Sequence, residues 1–150
     1  MSLQTDIIFY RAISADDSLM KAFGGRVYNT AIPMPEEDAD NVPTPYAIIS
    51  FDGLSTSGSD KDDPFEDHCD TVIVSVIITA GKRGELATLT QGVRDAIHAY
   101  LTGEDDEDDE ERPYNVQMTA SGVQYDAYKP CYWQQLRYQC DTINTTTPWE

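Results

Sequence analysis

A chain of 150 residues with 27 acidic and 10 basic side chains carries a formal charge of -17, and 40% of its residues are hydrophobic. This length fits a single domain over 1–150, which can bury about 70% of its unfolded surface around one core. The sequence contains no cluster of Lys and Arg that could neutralise phosphates, which argues against sequence-specific nucleic-acid binding.

The amino-terminal part of the chain predicts helix followed by a short extended segment. Residues 3–23 show helical spacing in one or two pieces. Ser14 precedes an acidic turn, so we predict a helix N-cap at Ser14. Gly24 and Gly25 are expected to end the second piece in the left-handed conformation, and residues 26–28 then run extended.

The clearest pattern in the chain runs from Asp70 to Leu101. Between residues 71 and 79 every even position is apolar, which predicts a strand with one fully buried face. After Gly81 the apolar residues recur at the spacing of a single helical stripe up to Leu101. A preceding strand is predicted over residues 46–51, because its side chains also alternate.

Further strands are predicted in the carboxyl-terminal third. Alternation of apolar and polar residues begins at Tyr114, and Gly122 permits a bulge, after which residues 123–127 continue the apolar register. Residues 132–141 form the last predicted strand, with one apolar and one polar side. The tail 144–150 is expected to be frayed.

These elements together predict the fold class. Strands that are joined by loops without crossover helices favour antiparallel pairing. We therefore predict an α+β fold, in which two main helices pack on one face of an antiparallel sheet of about four to five strands. No apolar run reaches the roughly 20 residues of a membrane helix, and the amino terminus lacks the pattern of a secretory signal. A soluble intracellular protein without a membrane partner is expected.

The acidity is concentrated in segments that we predict to be surface loops. Residues 36–70 contain eleven acidic residues against one base, residues 104–111 are eight consecutive acids, and the rest of the chain is nearly neutral. The loops are predicted at about 33–45, 53–70 and 103–113. Acidic loops on a neutral body repel nucleic acid locally rather than over the whole surface.

No motif in the sequence points to catalysis or to a cofactor, so the chain is expected not to be an enzyme. His68 and Cys69 lack the second pair of ligands that a zinc site needs. The carboxylates before them offer oxygen ligands for calcium, although the EF-hand pattern is absent. This weak calcium possibility concerns Asp60, Asp62, Asp63 and Glu66.

The cysteines are an odd number without a CxxC pair, and reduced thiols are the simplest interpretation. They are Cys69, Cys131 and Cys140. Cys131 and Cys140 lie nine positions apart, so on one regular strand they point to opposite faces and cannot bridge each other.

Two interpretations are open for the aromatic residues that crowd the carboxyl-terminal third. Tyrosines are good strand formers, so cross-strand packing accounts for them without any partner. Trp133 lies by parity on the polar face, and an exposed Trp or Tyr beside Arg is typical of a protein interface. The interface hypothesis concerns Arg26, Tyr28, Tyr132, Trp133 and Arg137.

Several segments together carry a resemblance to a known family. They are GGRVY at 24–28, PYAIISFDG at 45–53, VRDAIHAYL at 93–101 and QLRYQCDT at 135–142. With them the chain resembles, over nearly its whole length, the small tail-completion or tail-terminator proteins of long-tailed phages and prophages. It departs from the family's usual form at EDDEDDEE, where typical members have a short polar loop.

The resemblance implies a non-enzymatic assembly protein of compact α+β fold. Members of the family form a ring, commonly of six subunits, on the end of the tail tube, where the ring stops tube polymerisation and presents a head-tail joining surface. The implied partners are further copies of the chain, the tail tube protein and the head-tail connector protein. The implied location is the virion tail, reached from the host cytoplasm during assembly.

Two placements of the acidic loops in such a ring are open. Acidic loops that line a lumen would repel DNA and let it slide, whereas acidic loops on an outer or axial face would steer docking to a basic neighbour. The residues concerned are Asp60, Asp62, Asp63, Glu66, Asp67, Glu104, Asp105, Asp106, Glu107, Asp108, Asp109, Glu110 and Glu111.

Other functions compete with the tail-terminator interpretation. An acidic inhibitor could mimic DNA in the groove of a nucleic-acid-binding protein, but a mimic needs acids on a rigid surface at phosphate-like spacing, and these acids lie in predicted loops. A different head-tail neck protein of similar fold is a second alternative. A calcium-stabilised binding module is a third, and its melting temperature would rise with calcium.

Overall fold

The computed structural model describes residues 4–30, 43–57, 68–103 and 113–144. In chain order the elements are α1 (Thr5–Ser14), α2 (Asp17–Ala22), β1 (Val27–Asn29), β2 (Tyr46–Ser57), β3 (His68–Ala80), α3 (Arg83–Thr102), β4 (Tyr114–Ala120), β5 (Gln124–Asp126) and β6 (Cys131–Asn144). The strands form one six-stranded sheet in the order β1-β2-β3-β6-β4, and β5 pairs with β6 beyond the end of β4.

The helices pack against one face of this sheet, which confirms the predicted α+β class. The sheet is larger than the predicted four to five strands, and it is mixed rather than purely antiparallel. β1 runs parallel to β2, while the other neighbouring strands are antiparallel. Residues 30–45 explain the difference, because a connection of a dozen or more residues can return the chain to the same end of the sheet.

The core lies between the central strand β3 and the helices. Every second side chain of β3 faces it, as the alternation predicts, and these are Val72, Val74, Val76 and Ile78. From the helices the largest fully buried side chains are Phe9, Ile13, Leu86, Ile97 and Val93. Complete burial of an aliphatic or aromatic side chain stabilises the fold by about 1.5–3 kcal/mol. The stretch that is clearest in the sequence therefore also forms the centre of the structure.

The N-cap of α2 is Asp16 rather than the predicted Ser14. The Asp16 carboxylate accepts a hydrogen bond from the Leu19 amide at 3.1 Å. Ser14 is still the last residue of α1, and its hydroxyl donates back to the Arg11 carbonyl at 3.2 Å. The prediction of Ser14 is wrong because α1 includes Ser14 and the break between the two helices lies at residues 15 and 16. A serine at the end of a helix can bond back to a carbonyl of the same helix instead of capping the next one.

The carboxyl end of α2 is closed by two glycines in the left-handed region, as predicted. Gly24 and Gly25 have φ values of 61° and 75°. The Gly25 amide donates to the Met20 carbonyl at 2.9 Å, and the Gly24 amide donates to the Lys21 carbonyl at 3.0 Å. This pair of bonds is a Schellman motif, which satisfies the last carbonyls of the helix and turns the chain towards β1.

β2 and β3 extend into the segment that was predicted as the loop 53–70. β2 continues to Ser57 and β3 begins at His68, and the two strands pair from Tyr46 with Thr79 to Ser57 with Cys69. A bulge at Asp52, between Phe51 and Gly53, interrupts the register. The extra residue shifts the alternation, so the Ser-rich and Thr-rich second half of β2 does not continue the pattern of the first half.

β4 and β5 form the outer edge of the sheet beside β6, and most of their side chains are exposed. The chain leaves the ladder between Ser121 and Val123, as predicted for Gly122. The expectation that residues 123–127 continue an apolar register is wrong, since Val123 is 39% and Tyr125 is 56% exposed. No helix of the described part extends over this edge, and alternation alone does not show that a strand lies outside the helical layer.

Candidate functional site

The face of the sheet opposite the helices, which we call the open face, is not covered by any element of the described ranges. Residues paired across neighbouring strands share a face, so the register assigns the side chains to it. Its main rows are Tyr46, Thr79 and Trp133, then Tyr28, Ile48, Ile77 and Gln135, then Ser50, Ser75 and Arg137. A face that mixes aromatic, aliphatic and polar side chains in this way is typical of protein interfaces.

A hydrogen-bond network centred on Asp52 joins three strands on the open face. The Asp52 carboxylate accepts bonds from the hydroxyl of Ser50 at 3.0 Å and from the hydroxyl of Ser75. The Ser75 oxygen accepts in turn from Gln135 Nε2 at 2.9 Å, and Ser75 is only 1% exposed. Asp52 continues the alternation of Ile48 and Ser50 on this face, and the bulge that follows Phe51 places Gly53 on it as well. The sequence showed only a single acid within an otherwise apolar strand, which did not indicate the network.

A second polar cluster on the open face is built around Asp141. Its carboxylate accepts bonds from Thr71 Oγ1 and from Asn115 Nδ2, both at 3.1 Å. Asn115 lies in a bulge of β4 and has a φ of 51°, which asparagine tolerates better than most residues. Asp52 and Asp141 are thus both held by neutral donors.

The residues of the interface hypothesis are divided between the two faces of the sheet. Tyr28, Trp133 and Arg137 lie on the open face, and Arg137 is the most exposed of the three. Tyr132 lies on the helix face, partly buried against the core, with its ring centroid 5.0 Å from that of Tyr125. For Tyr132 the structure therefore shows the cross-strand packing that was the alternative interpretation.

Arg26 makes its contacts within the chain. Its Nε donates to the Pro45 carbonyl at 3.1 Å, and its own carbonyl accepts from the Ala47 amide at 3.0 Å. The guanidinium also lies over Gly24, since a Cβ atom there would be 2.7 Å from Nη1 of Arg26. These contacts tie the turn after α2 to the start of β2, and they position β1 on the edge of the sheet.

A groove of about 520 Å³ lies on the helix face, between the second half of α3 and β4. It forms because β4 extends beyond the helical layer. Its apolar wall is made by Ile97, Leu101, Val116, Met118 and Tyr138. On the helix side, Arg94, Asp95 and His98 line the groove, and His98 is exposed. The groove thus combines this apolar wall with one charged rim.

The thiols of Cys131 and Cys140 are structural rather than reactive. Cys131 and Cys140 are free, as predicted, and both are buried. Burial raises the pKa of Cys140 to about 12, and the Asp141 charge adds to the rise. Burial also raises the pKa of Cys131, with a further rise from Asp126 and an opposing effect from Lys129. Because the thiolate is the nucleophile, protonated thiols of this kind are inert.

The acidic residues of the lumen or docking hypothesis, and the weak calcium possibility, fall in 58–67 and 104–112, outside the described ranges. Within those ranges there are nine acidic and eight basic residues, so the excess negative charge belongs to the remaining segments. No group of three or more His, Cys, Asp or Glu side chains in the described part is placed to hold a metal ion. No helix among the described residues is long and apolar enough to cross a membrane.

The comparison with known proteins rests on structure alone, because no protein-family model and no curated protein sequence matches the chain. A solved structure does match it: a chain of the virion of a native gene transfer agent particle, with a TM-score of 0.54 over 93% of this chain and 94% of that chain. The two chains share their fold. Their sequences are 17% identical, so the likeness concerns the fold and not the individual surface residues.

Proposed function

We propose that this chain is a structural, non-enzymatic protein of a phage-like particle. In this proposal it forms a ring on the end of the tail tube, stops tube polymerisation and provides the head-tail joining surface. The observation that supports it best is the shared fold with a chain of the gene transfer agent virion over nearly the full length of both chains. The step from fold to function is an analogy, and the resemblance to tail-terminator proteins gives it a second, separate support.

The segments that carry this resemblance coincide with framework positions of the fold. GGRVY contains the Schellman turn and the start of β1, and PYAIISFDG contains the first half of β2 with its bulge. VRDAIHAYL is part of α3, and QLRYQCDT is the centre of β6. The resemblance therefore concerns how the chain folds, while the specific contacts of the protein depend on its surfaces.

The open face supplies a contact surface of the kind that assembly requires. Trp, Tyr and Arg are the residue types that most often dominate binding at protein interfaces. Here Tyr28, Trp133 and Arg137 lie on a face that no described element covers. We assign this face to a contact inside the particle, with the tail tube protein or the head-tail connector protein as the partner.

Immunogold electron microscopy of purified particles tests the proposal. Gold-labelled antibodies against the chain should mark one position per particle, at the end of the tail tube that meets the head. Particles that lack the major head protein should carry the same label at one end of each free tail. Label along the whole tube, label on the head shell, or particles free of the chain would contradict the proposed role.

A further inference from the structure

The two outer edges of the sheet have matching extents. On one side, β4 pairs only with β6 among the described residues. On the other side, β1 covers β2 only from Ala47 to Ile49, and no described residue pairs with the outer edge of β2 from Ser50 to Ser57. The edge strand of a sheet presents backbone groups that can pair with a strand of another chain.

The two edges also lie at the same level of the sheet. Pairing can be followed across the four strands from Ala120 through Leu136 and Val76 to Ile49. The next row of paired residues contains Arg137 and Ser75 in its middle, and its outermost residues are Thr119 on β4 and Ser50 on β2. A neighbouring copy rotated about an axis parallel to the strands would therefore bring its β2 edge against β4 without any shift along that axis.

The irregularities of the two edge strands match each other in the same interval. Between the row of Thr71 and the row of Val76, β3 advances by five residues. Over the same interval β4 advances by six, from Tyr114 to Ala120, because of its bulge. β2 also advances by six, because of the bulge at Asp52. Over this interval each of the two edge strands thus has one residue more than the central strand β3. Residues of β2 and β4 that start opposite each other therefore stay opposite each other along the whole interval.

The exposed apolar side chains are concentrated along these two edges. Among the described residues the exposed large hydrophobic side chains are Leu54, Tyr114, Val116, Val123, Tyr125 and Tyr128. Leu54 lies on the outer strand β2, and the others lie on β4, on β5 or beside β5. Five of these six side chains are thus gathered along the β4 and β5 side of the sheet, and exposed apolar side chains gathered in this way mark a surface that becomes covered on association.

From these observations we infer that β4 of one copy pairs antiparallel with the outer edge of β2 in the next copy, so that the sheet continues from subunit to subunit. In this register Thr119 lies opposite Ser50, and Met118 lies opposite Phe51. Met118 and Phe51 are both partly buried against the core of their own copy, so their contact joins the two cores. On the open face, Gln117 lies opposite Asp52 and its amide can donate to that exposed carboxylate.

The pairing is head to tail, which determines the kind of assembly. A head-to-tail contact repeats from copy to copy, and it closes into a ring when the repeat has no rise along the axis. For strands that run parallel to the ring axis, the level match of the two edges meets that condition. The inference rests on the proposed ring and adds which strands of neighbouring copies form it.

Engineered disulfides test the register directly. The double variant Thr119→Cys with Ser50→Cys places the new thiols opposite each other across the joint, where cross-strand Cβ atoms are about 4.5–5.5 Å apart. Oxidation should give a ladder of covalent oligomers that ends at the closed ring. Each single variant alone should give no ladder, and a mixture of the two single variants should give dimers only.

The matched control is Thr119→Cys with Ser55→Cys. Ser55 lies on the same strand, five residues and four ladder rows further along because of the bulge, which is about 13 Å and beyond the reach of a disulfide. A ladder from this control as strong as that from the Ser50 pair, efficient dimers from Thr119→Cys alone, or no ladder from the Ser50 pair would overturn the inferred register.

Oxidation is performed both on the concentrated purified chain and on particles that carry the double variant in place of the wild type. Particles that contain the chain but give no ladder would reject the edge pairing and leave the virion role standing. A ladder from the purified chain, with no chain in the particles, would support the edge pairing and contradict the virion role. As a second variant, Thr119→Lys should block incorporation into particles, while Thr88→Lys on the exposed side of α3 should not.

Discussion

Tyr138 shows how a single residue links the core to the surface of the molecule. It is 4% exposed, its ring centroid lies 5.1 Å from that of Phe9, and it also lines the groove beside β4. Burial raises the pKa of Tyr138 to about 12, although the nearby charge of Arg94 lowers it in part. The phenol is therefore held neutral in the folded chain.

This raised pKa predicts that the free energy of unfolding falls at alkaline pH. The folded-state pKa is raised above its ordinary value of 10.0, so the stabilisation is fully present below pH 10 and is lost as the pH rises towards 12. The loss from Tyr138 is about 2 kcal/mol at pH 12. Tyr138→Phe should reduce the alkaline loss of unfolding free energy by about that amount. Urea unfolding from pH 8 to pH 12 measures it.

The control for this variant is Tyr128→Phe, because Tyr128 is fully exposed in the described structure. Its unfolding free energy should follow that of the wild type across the same pH range. An equal alkaline loss in Tyr138→Phe and in the wild type would show that Tyr138 ionises without cost to the fold.

The glycines after α2 are predicted to differ in what they tolerate. A Cβ atom at Gly24 would meet the Arg26 guanidinium, while nothing lies within 4 Å of the corresponding position at Gly25. Both have positive φ values, so Ala costs about 1 kcal/mol at either from backbone strain. Gly24→Ala should lose more than Gly25→Ala, since Arg26 must also move. Urea unfolding midpoints compare them, and a larger loss at Gly25 would contradict the packing described.

At the scale of elements, the start of α2 offers a test between two neighbouring residues. Asp16→Ala removes the carboxylate that accepts from the Leu19 amide, so it should cost about 1 kcal/mol of stability. Ser14→Ala removes only an exposed bond back to its own helix, so its effect should stay within about 0.5 kcal/mol. Thermal or urea unfolding of both variants decides between Asp16 and Ser14 as the N-cap.

The elements that could be predicted well from the sequence are those in which one buried face sets the spacing of the apolar residues. β3 and α3 meet this condition, because each presents a continuous apolar stripe to the same core. β1 is too short, at three residues, to show a period, and its parallel pairing depends on the length of the chain that follows it. The second half of β2 was missed because a bulge breaks its alternation.

The candidate surfaces were predicted less completely than the fold. The interface hypothesis selected residues by type, and the structure places Tyr28, Trp133 and Arg137 on the open face, where their role at an interface stays a prediction. Residue type does not tell the two faces apart, and Tyr132 lies on the helix face. The match between the edges of β2 and β4 depends on how far each strand extends along the sheet relative to the other. These two strands are far apart in the chain, and local sequence patterns carry no information on their relative positions.

At the scale of the whole molecule, the separation of charge leads to a further prediction. Replacing the acids at 104–111 by Asn and Gln removes eight negative charges. If these residues line the lumen of the proposed ring, DNA should pass more slowly or be trapped, since a neutral wall repels phosphates less. DNA ejection from assembled particles, measured by release of dye-accessible DNA, provides the test.

Neutralising the exposed acids Asp17 and Glu85 gives the control, and it should leave ejection unchanged. Normal ejection from the 104–111 variant would reject the lumen placement. Slower head-tail joining with a weaker dependence on salt would then place the acids on a docking face, because such charges act mainly on the association rate.

The central claim is that this chain ends the tail tube and prepares it for the head. Electron microscopy of particles assembled without the chain tests that claim most directly, because tail length and head attachment are visible in the same image. The proposal predicts overlong tails, tails without heads, or both, and a return to normal particles when the chain is supplied from a plasmid. Normal virions in its absence would contradict the proposed function.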